Sequence, residues 1–246
     1  MSATCSERKG TTLVSVVRRE IGAKELGELR QEFALAALAG DRPHCLNQAR
    51  HLLEITGSLM TPYLELFQPV LRSLESRFGA GEVTTKQVGT VGAVVQSLMS
   101  ELSASVHLGP FNSSRASGSS GLTVVMVPFA GDAHHVGVRM VSDLLQLAGF
   151  TVHRVTAVEE ALEGALLEIE RLRPQAVGIS VGTDSGLTHA RELVGRSRTL
   201  ALEPRPKIMV GGAAFRNNPH AWREIEADLF ADDAAAVVSC LSSTLT

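Results

Sequence analysis

Through the first hundred residues apolar positions recur every three or four residues, the spacing of one buried helical face. Ala23–Ala39 brings Leu26, Leu29, Phe33 and Leu38 near one face, and Gly40-Asp41 stops that helix. Arg42–Thr56 carries Leu46, Ala49, Leu52 and Leu53 in the same manner and ends near Gly57. Between Met60 and Phe78, Pro62 suits an early helical turn, whereas Pro69 kinks or divides the segment. Thr84 or Thr85 caps a last helix that runs to about Val106. Four to five helices with short joints predict a small antiparallel bundle.

Gly and Ser then take over from Gly109 to Gly121, no apolar period survives, and the stretch reads as a flexible linker. Beyond it the pattern changes. Short apolar runs at Leu122–Pro128, Thr151–Val155, Ala176–Ser180, Lys207–Val210 and Ala227–Phe230 read as buried strands. Helical segments at His134–Ala148, Ala157–Leu172, about Ser185–Ala201, near His220–Glu226 and Ala234–Leu245 follow them. Five strands alternating with helices predict an α/β, Rossmann-like (flavodoxin-like) parallel sheet, in which ligands bind beyond the carboxyl ends of the strands. The expected organisation is a tail and lead-in over 1–19, a helical bundle over 20–108, a linker over 109–121 and an α/β domain over 122–246.

Composition narrows the class. A formal net charge of -3 gives no electrostatic footprint for nucleic acid. Cys5, Cys45 and Cys240 are far apart, odd in number and without a C-x-x-C, which points to a reducing cytoplasm. No apolar h-region opens the chain and no apolar run approaches a membrane span, so a cytoplasmic location is expected.

Three short pieces fall at expected strand ends. Asp132-Ala-His134-His-Val-Gly137 follows the first strand, 42 residues lie between Gly137 and Ser180-Val181-Gly182, and 28 more separate Gly182 from Gly211-Gly212. The first piece alone arises by chance in about a few per cent of chains this long. His134 can ligate a transition metal through one imidazole nitrogen while Asp132 orients the other; the alternative is a residue at a helix start with Asp132 as its cap. Ser180 can bond a buried heteroaromatic nitrogen, or simply cap the following turn. A Gly pair after a strand permits close approach, or is only a turn.

In order and at these spacings, the pieces resemble the cobalamin-binding domain of methionine synthase, the B12-dependent mutases, the corrinoid methyl carriers and the B12 photoreceptors. The resemblance implies that His134 is the lower axial ligand of cobalt, that Asp132 tunes it and that Gly137 admits the cofactor. It assigns Ser180, with Val181 and Gly182, to the displaced benzimidazole tail, and Gly211-Gly212 to the passage of that tail. The third position of the Ser piece, Leu in most relatives of this kind, is Gly182 here, which leaves more room. Gly40-Asp41 and Phe78-Gly-Ala-Gly81-Glu-Val-Thr-Thr resemble the helical bundle that covers the upper corrin face in such proteins.

Departures in that bundle bear on function. Phe78 stands where the photoreceptors commonly have Trp, and Val88-Gly89 stands where they have a Glu-His pair. Val88, Gly89 and Gly92 leave space above the corrin, or serve close helix packing. The expectation is a light-responsive cobalamin-binding sensor, a B12 photoreceptor or regulator, with adenosylcobalamin and room for a second tetrapyrrole, a bilin such as biliverdin. It would act on a protein partner or as a homo-oligomer rather than as a stand-alone catalyst. The alternatives are a corrinoid methyl carrier of a methyltransferase system and a domain that has exchanged corrin for haem.

Overall fold

In a computed structural model the structure describes residues 21–108, 121–129, 135–155, 161–218 and 220–245. The 109–120 part of the expected linker, the whole of the expected tail and lead-in, Asp132 and His134 lie outside these residues.

The bundle contains α1 (Ala23–Ala39), α2 (Arg42–Thr56), α3 (Met60–Pro62), a π-helical turn (Tyr63–Phe67), α4 (Gln68–Gly79) and α5 (Thr85–Leu108). Asp41 caps α2, its carboxylate accepting from the His44 N–H at 3.1 Å. Thr84 is the cap of α5: its hydroxyl accepts from the Gln87 N–H at 3.2 Å, and the Gln87 amide oxygen accepts from the Thr84 N–H at 2.9 Å. The division expected at Pro69 takes the form of the π turn just before α4. Proline has no N–H for the carbonyl four residues earlier, and that Glu65 carbonyl instead accepts from Arg30 Nε at 2.8 Å. The turn buries Tyr63, Leu66 and Phe67 completely, with Phe67 against Phe33 at a ring separation of 5.6 Å.

The second part is a five-stranded, all-parallel sheet in the order β2-β1-β3-β4-β5. Its strands are β1 (Thr123–Phe129), β2 (Thr151–Arg154), β3 (Ala176–Val181), β4 (Lys207–Gly211) and β5 (Leu229–Phe230). The helices are α6 (His135–Leu147), α7 (Ala161–Leu172), α8 (Asp184–Thr199), α9 (Ala213–Asn217), α10 (Ala221–Glu224) and α11 (Ala234–Leu245). This is the flavodoxin-like order, as the alternation predicts. The short α9 is absent from the sequence expectation, because five residues are too few for a helical period to register.

Alternation along the strands sorts the core. Val125, Val127, Val177, Ile179, Ile208 and Val210 face α7 and α8. Val124, Met126, Ala176 and Met209 face α6 and α11. Helix α6 is buried on two sides: Val138 and Leu145 meet the sheet, while Val136, Met140 and Leu144 join the core of the bundle. Polar contacts lock the same junction. The Tyr63 hydroxyl donates to Asp143 Oδ2 at 2.9 Å, and Arg139 donates to the Gln96 carbonyl at 3.2 Å and to Ser100 Oγ at 2.8 Å.

Burial, and after it the negative charge of Asp143, pushes the Tyr63 phenol well above its usual range. Burial also pushes the Cys45 thiol up, to about 11, with Asp41 adding to it. Both groups keep their protons in the folded chain beyond the pH at which they would lose them unfolded. The Cys45 contribution is therefore complete below about pH 9 and is lost as pH rises through about 11, while that of Tyr63 begins to fall only above about pH 10 and goes on falling beyond the Cys45 range. Urea denaturation is expected to give a flat midpoint from about pH 7 to 9 and a falling one above it. Tyr63→Phe should start about 1.5–3 kcal/mol lower and fall less steeply; equal slopes would remove Tyr63 from the effect.

Candidate functional site

The central strand β3 carries small residues on one face, Ala176, Gly178 and Ser180, and large ones on the other, Val177, Ile179 and Val181. The small face looks towards α6 and α11. Register places Met126 of β1 and Met209 of β4 on either side of Gly178, and Pro128 and Gly211 on either side of Ser180. Where a file of small side chains runs between larger ones, the helices above cannot close on the sheet. The result is a cavity of about 920 Å³, solvent at its mouth included.

Its floor is Met126, Gly178, Ser180 and Met209, and its roof is formed by Gly137, Val138 and Val141 of α6 with Val237 and Leu241 of α11. The mouth lies at the carboxyl ends of β3 and β4, and α4 of the bundle covers it. One ion pair and two hydrogen bonds hold α4 there. Arg216 meets Glu75 at 2.9 Å, Arg72 donates to the Asp232 carbonyl at 2.6 Å, and the Ala234 N–H donates to the Gln68 amide oxygen at 3.3 Å. Asp233 caps α11 beside them, accepting from the Ala236 N–H at 2.7 Å.

Four of the expected residues, Gly137, Ser180, Gly211 and Gly212, come together in this lining. Ser180 is partly buried, and its hydroxyl makes no hydrogen bond to another described residue. The glycine pair has a reason of its own. A Cβ on Gly211 would stand 2.8 Å from the Ala231 carbonyl oxygen, and one on Gly212 would stand 2.3 Å from that of Val181. Gly212 also has φ 108°, a conformation that a side chain resists. These glycines are demanded by the crossing of β4, the end of β3 and the turn before α11, whatever lies in the cavity.

Other expected residues are elsewhere. Val181 is fully buried in the core on the opposite face of the sheet. Gly182 follows β3 and does not line the cavity. Phe78 is 48% exposed, Gly89 is exposed, and Val88 rests on the bundle core. None of these three lines the cavity, so the space expected from Val88 and Gly89 is not the space that the fold forms. The reason is that α4 presents Gln68, Leu71, Arg72 and Glu75 to the mouth, one to three turns before Phe78. Sequence reading missed Met126, Gly178 and Met209, although the alternation of Ala176, Gly178 and Ser180 with large residues carries a legible signal. The rim pairs join residues 141 and 160 positions apart and leave no local pattern.

Among the described residues no cluster of three His, Cys, Asp or Glu is placed to hold a metal ion, and no helix is long and apolar enough to cross a membrane. What the lining can do is enclose a flat apolar ring system between sheet and helices, with one hydroxyl to meet it and charged groups around the mouth.

A bundle over a flavodoxin-like sheet, with a slot at the carboxyl edge, defines the class of two-part α/β ligand-binding proteins. Residues 122–240 match the family model for the B12 binding domain. The chain is 32% identical over 110 residues to dimethylamine corrinoid protein 2 of Methanosarcina mazei, covering 44% of this chain and 50% of that one. To dimethylamine corrinoid protein 3 of Methanosarcina acetivorans it is 33% identical over 113 residues, with the same shares. The chain thus spans about half the length of these curated relatives. In structure it resembles the monomethylamine corrinoid protein of Methanosarcina barkeri, with a TM-score of 0.71 at 19% identity over 88% of this chain and 98% of that chain, a likeness of fold.

These relatives overturn the expectation of a light-responsive sensor. They are named for corrinoid proteins of methylamine systems, which is the alternative function rather than the first. The photoreceptor features were already missing at Phe78, Val88 and Gly89, and none of these positions lines the cavity that would have to take a second chromophore.

Gly212→Ala is expected to cost more than about 2 kcal/mol in urea denaturation, because its Cβ meets backbone at a positive φ. Gly137→Ala meets nothing within 4 Å and should leave stability unchanged or raise it by up to about 1 kcal/mol. The reverse order of the two variants would show that the end of β3 does not crowd Gly212.

Proposed function

We propose that this chain is the corrinoid-carrying protein of a methyltransferase system, holding the cofactor between its sheet and its bundle. The observation that carries the reading is the slot itself: small residues along one face of β3, a Ser180 hydroxyl that bonds no described residue, and a helical cover over the carboxyl edge of the part that matches the B12 binding domain model. These features suit the nucleotide tail of a corrinoid, a flat base joined to a polar sugar-phosphate. The relatives' names support methyl carriage, with methylated amines as the donor class. When bound, the corrinoid supplies a cobalt that takes up and gives back a methyl group; the protein supplies position and shielding.

In this reading His134 would ligate the cobalt through one imidazole nitrogen, and Asp132 would serve to orient that ring and raise its basicity. Ser180 donates to the ring nitrogen of the displaced base. The charged rim of Arg72, Glu75, Arg216 and Asp232 meets the polar outer part of the cofactor. The bundle shields the other side, and a methyltransferase is the partner that must reach it. The carrier does not itself activate the methyl donor.

His134→Ala is expected to keep its circular dichroism while the visible spectrum of bound hydroxocobalamin shifts and retention falls about 10- to 100-fold. An unchanged spectrum would remove His134 from the ligand position. Carriage is tested separately, by reducing the hydroxocobalamin-loaded chain and offering radiolabelled methyl iodide. About one label per bound corrinoid should elute with the protein. A chain that retains corrinoid and takes no label would overturn the carrier reading.

A further inference from the structure

We infer that the cavity selects among corrinoids by the base at the end of the nucleotide tail, accepting a benzimidazole-type base of variable size and rejecting a purine. This deepens the corrinoid-binding reading and rests on it.

The floor is the first observation. Met126, Gly178 and Met209 stand side by side across β1, β3 and β4, and all three line the cavity. The Met126 thioether leans over the glycine: a Cβ on Gly178 would stand 2.4 Å from its Sδ. Met140 of α6 also lines the space, so three of the chain's six methionines surround this one cavity. Methionine is unbranched, turns about three bonds and makes favourable sulfur contacts with aromatic rings. A floor built this way adjusts to a bicyclic ring with or without methyl substituents.

Polarity is the second. Among the lining residues contributed by the sheet, α6 and α11, Ser180 has the one polar side chain. The charged side chains stand at the mouth, where Arg216 pairs with Glu75 and Arg72 with Asp232. A benzimidazole joined to its ribose has one ring nitrogen free, and one hydroxyl is there to meet it. An adenine base brings an exocyclic amine and further ring nitrogens into the same slot, against thioethers and the side chains of Val138, Val141 and Leu241. Each buried polar group left without a partner weakens binding, together by about 10- to 100-fold.

The experiment is equilibrium dialysis of the full chain, followed by visible absorption, with four probes. These are cobalamin with its 5,6-dimethylbenzimidazole, the cobamide carrying unsubstituted benzimidazole, the cobamide carrying adenine, and cobinamide, which has no tail. The two benzimidazole forms should bind within about threefold of each other, and the adenine form about 10- to 100-fold more weakly. Cobinamide should bind no better than the adenine form. Adenine and benzimidazole forms of equal affinity would overturn the selectivity while leaving corrinoid binding intact. Cobinamide as tight as cobalamin would overturn it too, by emptying the slot of any tail. Retention of none of the four would remove both this inference and the reading beneath it.

Two variants place the effect on the floor. Gly178→Ala drives the Met126 sulfur up into the slot and should weaken the dimethylated form more than the unsubstituted one. Met126→Leu keeps volume but stiffens the floor; it should hold the discrimination against adenine and widen the gap between the two benzimidazole forms. Variants that shift all four probes equally would show that the floor does not read the base. Met126→Leu carries this test alone should Gly178→Ala fail to fold.

Discussion

The burial of α6 on two sides is the contact on which the rest of the molecule depends. An ordinary surface helix turns one stripe inward, but Val138 and Leu145 meet the sheet while Val136, Met140 and Leu144 enter the bundle core. Bundle and sheet therefore share apolar surface rather than merely touching. The Tyr63–Asp143 hydrogen bond and the reach of Arg139 to α5 add direction to that shared surface. Because α6 is held from above, it cannot settle into the shallow strip left by the small residues of β3, and the slot beneath it survives.

That slot is a balance between close packing and one missing layer. Proteins fill their interiors to crystal density, and a strand bearing Ala, Gly and Ser on one face would normally draw its covering helix down. Here α6 is tied to the bundle, and α4 is tied across the mouth to α9, to the turn after β5 and to the start of α11. The empty layer lies where open α/β sheets place ligands, at the carboxyl edge. Bundle, rim and floor thus act on one space, open at the carboxyl edge of the sheet and covered there by α4.

The comparison of sensor with carrier turned on the bundle. The spaces expected near Val88 and Gly89 do not belong to the cavity, and the methylamine-system relatives match the alternative. Gly211 and Gly212 show how one residue type answers two demands. They line the cavity, yet the atoms that exclude a side chain there are the Val181 and Ala231 carbonyl oxygens of the chain itself.

Local periodicity by itself determined the helices of the bundle, the five strands and their flavodoxin-like class, and the order and spacing of three short pieces carried the resemblance to B12-binding domains. These rest on short-range spacing, on caps such as Asp41 and Thr84, and on breaks such as Pro69, all of which act within a few residues. Helix α9 escaped because it is shorter than the period that would reveal it. Only the tertiary structure decided that Met126, Gly178 and Met209 form one row, since strand register depends on three segments at once. It alone set Arg216 against Glu75 and Arg72 against Asp232, pairs that no local pattern encodes. It also turned α6 to both the sheet and the bundle, because burial on two sides is a property of neighbours that arrive from far along the chain.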